Sequence, residues 1–148
     1  NLSVVGNANS CNNGVKSADI ITLKLNGQRV QVYLTTGNHS DDPNLSVINT
    51  LMAWVTTPTA TPAQKQALTE VARAYLRGCN VQVTPAQLAL LNTLDRWENG
   101  GWHEKILGGV TVGWADGNGF GFGDGGVRSK PRTGLSLQWP AQTSRCQF

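Results

Sequence analysis

An Asn-Gly pair at positions 26 and 27 separates two runs of strand-forming residues in the segment ADIITLKLNGQRVQVYLTTG. Asn-Gly is the preferred loop of a two-residue type I′ hairpin, because both loop positions need positive φ. With this pair at the tip, Leu23 lies opposite Val30 and Ile21 opposite Val32, so one face is apolar. The register predicts a hairpin over residues 19–35. On its other face, the predicted cross-strand pairs are Lys24 with Arg29, Thr22 with Gln31 and Ile20 with Tyr33.

Three helices are predicted between residues 43 and 99. The first follows Asp42-Pro43, a capping residue before a first-turn proline, and its apolar residues recur at helical spacing as far as Val55. The other two begin at the tetrapeptide Thr-Pro-Ala-Gln, which occurs at 61–64 and again at 84–87. Each copy supplies a capping threonine, a first-turn proline and a capping-box glutamine. These helices are expected to end near Gly78 and Asn99.

The C-terminal part of the chain changes from helical to alternating periodicity. Apolar residues alternate in Val110–Trp114, between the glycines around Phe120 and Phe122, and in Leu135–Trp139, which predicts an antiparallel meander over 108–140. The whole chain, 1–148, is expected to form one α+β domain: an irregular segment over 1–18, the hairpin, three helices over 43–99 and the meander. The helices are expected to pack on one face of the sheet.

Composition argues against two classes of partner. Charged residues make up 14% of the 148 residues, and the net charge of +3 comes from scattered lysines and arginines. Nucleic-acid binding needs a denser basic stripe, so no nucleic-acid partner is expected. No apolar run approaches the length of a membrane span, so none is expected.

The three cysteines, Cys11, Cys79 and Cys146, show no metal-ligand spacing. A disulfide between Cys11 and Cys146 would join the two ends of the chain, and three reduced thiols in a cytosolic protein are the alternative. Cys79 is expected to be buried or disulfide-bonded. Low charge and an Asn-rich, Gly-rich composition favour an exported protein, secreted or periplasmic. No metal or other cofactor is predicted.

The segment from Trp97 to Gly126 combines three of the five tryptophans with a dense run of glycines. Aromatic faces stack on sugars or peptides, and glycine allows a close approach of backbone. The expected ligand-binding residues are Trp102, Trp97, Asp116 and Asn118. The residues that fit the alternation of core strands and are expected to be buried are Trp114, Phe120, Phe122 and Trp139.

His103 and Glu104, with Glu98 nearby, are the raw material for acid–base catalysis, since imidazole titrates near neutral pH. Neighbouring side chains of an extended segment point apart, however, which makes an exposed polar connector the simpler interpretation. Asp116, Asn118 and Asp124 begin like a calcium loop, but the twelfth-position Glu is absent, so ordinary turns are favoured.

The sequence thus predicts an exported, non-catalytic domain that binds a protein or glycan partner through its Gly-rich and Trp-rich C-terminal surface. One alternative is a small secreted hydrolase that uses His103 with Glu98 or Glu104. Another is a structural subunit of a surface assembly, in which an unpaired strand edge meets a second copy.

Overall fold

A computed structural model of the chain describes residues 2–12, 15–37, 48–91, 102–115 and 132–140. Side chains are described from Asp19 onward within these ranges, apart from those of Leu88, Leu90, Leu91, Trp102 and Leu107. The elements in chain order are β1 (Leu2–Asn12), β2 (Val15–Leu25), β3 (Gln28–Gly37), β4 (Thr50–Val55), α1 (Pro62–Gly78), α2 (Pro85–Leu91), β5 (Trp102–Leu107), β6 (Val110–Ala115) and β7 (Thr133–Gln138).

The strands form one seven-stranded antiparallel sheet in the order β1-β2-β3-β4-β7-β6-β5. Helix α1 packs across β2, β3, β4 and β7 on one face, which we call the inner face. The opposite face is the outer face. The predicted arrangement of three helices packed on a sheet is wrong, because the described residues contain two helices beside a dominant sheet.

The N-terminal hairpin is confirmed residue by residue. Its register pairs Leu25 with Gln28, and the alternate pairs follow as expected on both faces. Asn26 and Gly27 have φ values of 49° and 85°, the left-handed conformation that a type I′ loop requires. The apolar face of the hairpin lies against α1, where Val32 is fully buried.

The first predicted helix, Pro43 to Val55, is wrong over the part that the structure describes, because Thr50–Val55 is strand β4. Leu51 and Ala53 face the core under α1, and Trp54 lies on the outer face. A central strand that is covered on both faces carries apolar residues at nearly every position, so a short apolar run fits helix and strand periods alike. Residues 50–55 form a strand because they pair with β3 on one side and with β7 on the other.

The two Thr-Pro-Ala-Gln sequences begin helices as predicted. At α1, the Thr61 hydroxyl accepts from the Gln64 amide at 3.2 Å, and the Gln64 side chain accepts from the Thr61 amide at 2.8 Å. The same reciprocal pair joins Thr84 and Gln87 at the start of α2. These capping boxes satisfy backbone donors that the first turn leaves without intrahelical partners.

The sheet is larger at both ends of the chain than the sequence predicts. The segment expected to be irregular forms β1 and the start of β2, with register shifts between Val4 and Gly6 and between Ser10 and Cys11. These bulges interrupt the alternation by which a strand is recognised. The connector expected after the third helix forms β5, which makes a hairpin with β6. Phe120 and Phe122 lie outside the described residues.

The main core lies between the inner face and α1. Fully buried residues come from the central strands and from the helix: Leu34, Leu51, Val55, Leu68, Val112, Leu135 and Leu137. Burial of each such aliphatic side chain stabilises the fold by about 1.5–3 kcal/mol. Trp114 and Trp139 belong to this core, which confirms the expectation that both are buried.

Candidate functional site

The outer face carries an aromatic cluster on the central strands. Strand register places Tyr33, Trp54, Gly134 and Ala115 side by side on β3, β4, β7 and β6. Trp54 and Ala115 form a small buried group, against which Tyr33 and Met52 pack, and this group is separate from the core under α1. We define the outer-face cluster as Tyr33, Met52, Trp54, Ala115 and Arg132.

Two rings and one cation form the centre of this cluster. The ring centroids of Tyr33 and Trp54 are 6.0 Å apart, with an interplanar angle of 21°, within the range of favourable aromatic pairs. The Arg132 guanidinium carbon lies 5.4 Å from the centroid of the Trp54 ring, a cation–π distance. Trp54 is only 5% exposed, whereas Tyr33, Met52 and Arg132 are half-buried. The accessible surface of the cluster therefore belongs to these three bordering side chains.

Gly134 allows β4 and β7 to approach closely beside Trp54. A Cβ on Gly134 would lie 2.7 Å from the Trp54 Cβ and would also overlap the carbonyl oxygen of Ala53. Ala115, next to Gly134 in the register, is fully buried. Two small residues on adjacent strands thus leave room for the indole on the outer face.

Uncharged polar side chains border the cluster. Met52 lies between Thr35 on β3 and Ser136 on β7, and both are half-buried. Gln31, two residues before Tyr33 and therefore on the same face, is exposed. The arrangement combines an aromatic surface, a guanidinium and several neutral hydrogen-bonding groups.

The structure does not bring His103 and Glu104 together. They are consecutive residues of β5, so their side chains leave opposite faces of the sheet. His103 is half-buried opposite Trp114, whose side chain belongs to the inner core. Glu104 is exposed opposite Gly113.

For most of the other predicted site residues, the side chain lies outside the part of the chain that the structure describes. The backbone of Trp102 begins β5 opposite Ala115, but its side chain is not described. Trp97, Glu98, Asp116 and Asn118 lie outside the described residues. Within the described ranges, no group of three or more potential metal ligands occurs.

Sequence reasoning missed the outer-face cluster, although one signal for it was present. The predicted hairpin register sets Tyr33 beside Ile20 on a face that is otherwise polar, and this register is observed. The sequence assigns Trp54 to no surface, because the spacing around it predicts the end of a helix. Arg132 comes next to Trp54 only through the pairing of β4 with β7.

Cys79 is fully buried at the C-terminal end of α1 and is disulfide-bonded. Its bonding partner lies outside the side chains that the structure describes. The predicted pairing of Cys11 with Cys146 likewise involves side chains outside the described ones.

Comparison with known proteins finds no matching family model, no similar curated protein and no similar solved structure. Neither helix in the described part of the chain is long and apolar enough to cross a membrane.

Proposed function

We propose that this protein is an exported, non-catalytic domain that binds a glycan on the outer-face cluster. The observation that carries the proposal is the stacked pair of Tyr33 and Trp54 with the Arg132 guanidinium beside it. Sugar rings present apolar C–H faces that stack on aromatic surfaces, while their hydroxyl groups need neighbouring donors and acceptors. The cluster offers both kinds of group.

The polar border supports a neutral ligand. Thr35, Ser136 and Gln31 carry hydroxyl and amide groups on the same face as the cluster. Each of them donates and accepts hydrogen bonds, as a sugar hydroxyl does. A glycan also suits a chain in which only 14% of residues are charged.

The disulfide at Cys79 supports export. Disulfides persist in oxidising compartments and are rare in the cytosol of most organisms. Since one sulfur atom forms one disulfide and the chain has three cysteines, the bond at Cys79 uses either Cys11 or Cys146. We propose this pairing in place of a bond between Cys11 and Cys146.

A glycan array probed with the fluorescently labelled full chain tests the proposal. Tyr33→Leu keeps an apolar side chain against Trp54 but removes the ring that borders it, so the strongest signals are expected to fall about two- to tenfold, as loss of one aromatic contact predicts. Tyr75→Leu is the matched control, because Tyr75 packs against the core on the inner side. Signals that are absent from the wild type, or that fall equally in both variants, would contradict the proposal.

A hydrolase that uses His103 with Glu104 has less support, because the two side chains leave opposite faces of β5.

Self-association has one specific observation in its favour. Ile106 is 74% exposed on β5, which lies at an edge of the sheet formed by the described strands, and exposed edge strands pair with other chains. If this edge joins two copies, Ile106→Lys converts an oligomer to a monomer in size-exclusion chromatography with light scattering.

A further inference from the structure

A pocket of about 240 Å³ lies between the last two turns of α1 and the segment 80–83 that follows the helix. It is on the helical side of the sheet and shares no residue with the outer-face cluster. Its floor is apolar: Leu76 is 2% exposed, and Val81 and Val83 are half-buried and pack against the core.

Two arginines line the same pocket four residues apart on α1. The Arg73 Nη1 atom lies 3.1 Å from the Glu70 Oε1 atom, which holds that guanidinium in place and offsets its charge. Arg77 is exposed, and none of the acidic side chains in the described part of the chain lies within ion-pair distance of it. None of the described residues that line the pocket is acidic, so together these residues carry a net positive charge.

The end of a helix normally presents carbonyl oxygens, which would repel an anion. Here the turn after α1 provides amide donors for three of these carbonyls. The amides of Cys79, Asn80 and Val81 donate to the carbonyls of Tyr75, Arg77 and Leu76 at 2.9, 3.1 and 2.8 Å. These bonds leave fewer carbonyl oxygens to oppose the positive charge of Arg77 beside the pocket.

The chain turns back over the helix at Asn80, whose φ of 55° lies in the left-handed region. This turn brings two amide side chains to the pocket. The Gln82 Nε2 atom donates to the Asn80 Oδ1 atom at 3.2 Å, which orients both amides. The Asn80 Nδ2 group is a further donor for an anionic ligand.

We propose that this pocket binds a small amphipathic carboxylate, with its apolar body on Leu76, Val81 and Val83 and its carboxylate on Arg77. Guanidinium groups bind carboxylates through paired, charge-assisted hydrogen bonds. The volume is below the roughly 300 Å³ at which pockets for drug-sized ligands begin, so the ligand is no larger than an amino-acid derivative. The site does not depend on the glycan proposal.

The test is an NMR titration of the ¹⁵N-labelled full chain with N-acetyl-L-leucine, compared with its uncharged amide, N-acetyl-L-leucinamide. A ligand of this size is expected to bind with a dissociation constant on the order of 1 mM. The expected result is that the acid shifts the amide signals of residues 76–83 and that the leucinamide does not.

Arg77→Gln is expected to weaken binding of N-acetyl-L-leucine at least about fivefold, and Arg77→Lys is expected to weaken it less, because lysine keeps the charge but not the planar fork. Lys24→Gln is the matched control, since it removes the same charge from an exposed residue of the hairpin. Equal binding of acid and amide, unchanged binding in Arg77→Gln, an equal loss in Lys24→Gln, or no shifts at about ten times the expected dissociation constant would each overturn the proposal.

Discussion

Gly134→Ala tests the close approach of β4 and β7 on which the outer-face cluster depends. The added methyl group would lie 2.7 Å from the Trp54 Cβ and 2.9 Å from the Trp54 Cα, and would overlap the carbonyl oxygen of Ala53. None of these atoms is the end of a flexible side chain. The two central strands must therefore separate locally to admit the methyl group.

The size of the effect follows from two opposing contributions. Overpacking of this kind costs about 1–3 kcal/mol, and alanine recovers about 0.4–1 kcal/mol by reducing the freedom of the unfolded chain. We expect the free energy of unfolding to fall by about 1–2 kcal/mol. With a urea dependence of about 2 kcal/mol per molar, the unfolding midpoint falls by roughly 0.5–1 M.

Gly37→Ala is the matched control, also at a glycine of a strand. A Cβ at Gly37 has Thr50 Oγ1 at 3.4 Å as its nearest neighbour, an ordinary contact. We expect this variant to be as stable as the wild type or up to about 1 kcal/mol more stable. Equal urea midpoints for the two variants would refute the argument that Gly134 is required by the approach of β4 and β7.

Three further predictions concern the helix cap, one tyrosine and the cysteines. Thr61→Ala removes the cap of α1 and is expected to lower the free energy of unfolding in urea by about 0.5–2 kcal/mol. Burial, and secondly the negative charge of Asp19, raise the pKa of Tyr75 above its ordinary value of 10.0. The stability that this raised pKa contributes is therefore complete below pH 10.0 and is lost as the pH rises through the folded-state pKa. Between about pH 9 and pH 11, the free energy of unfolding in urea should therefore fall less for Tyr75→Phe than for the wild type. Since Cys79 is disulfide-bonded, thiol labelling of the denatured chain should detect one reactive thiol without reductant and three after reduction, and three without reductant would contradict the bond.

The predictions that hold are those that depend on neighbouring residues. The hairpin register follows from Asn26-Gly27 and the alternation on either side of it, and both are contained within residues 19–35. The starts of α1 and α2 follow from Thr61-Pro62 and Thr84-Pro85, because a capping box is complete within four residues.

The predictions that fail depend on partners far away in the chain. Residues 50–55 fit both a helical and an extended period, and they form β4 because β3 and β7 supply hydrogen bonds on either side. The same pairing brings Arg132 to Trp54, so the candidate site on the outer face could not be predicted before the order of the strands was known.

By itself, the sequence determined the hairpin, the helix starts and the burial of Trp114 and Trp139, because turn, capping and alternation signals act over a few residues. Only the tertiary structure decided that the two groups of strands share one sheet, that β4 lies at its centre, and that His103 and Glu104 leave opposite faces. The physical reason is that strand pairing satisfies backbone groups between distant segments, and no local pattern specifies which segments these are.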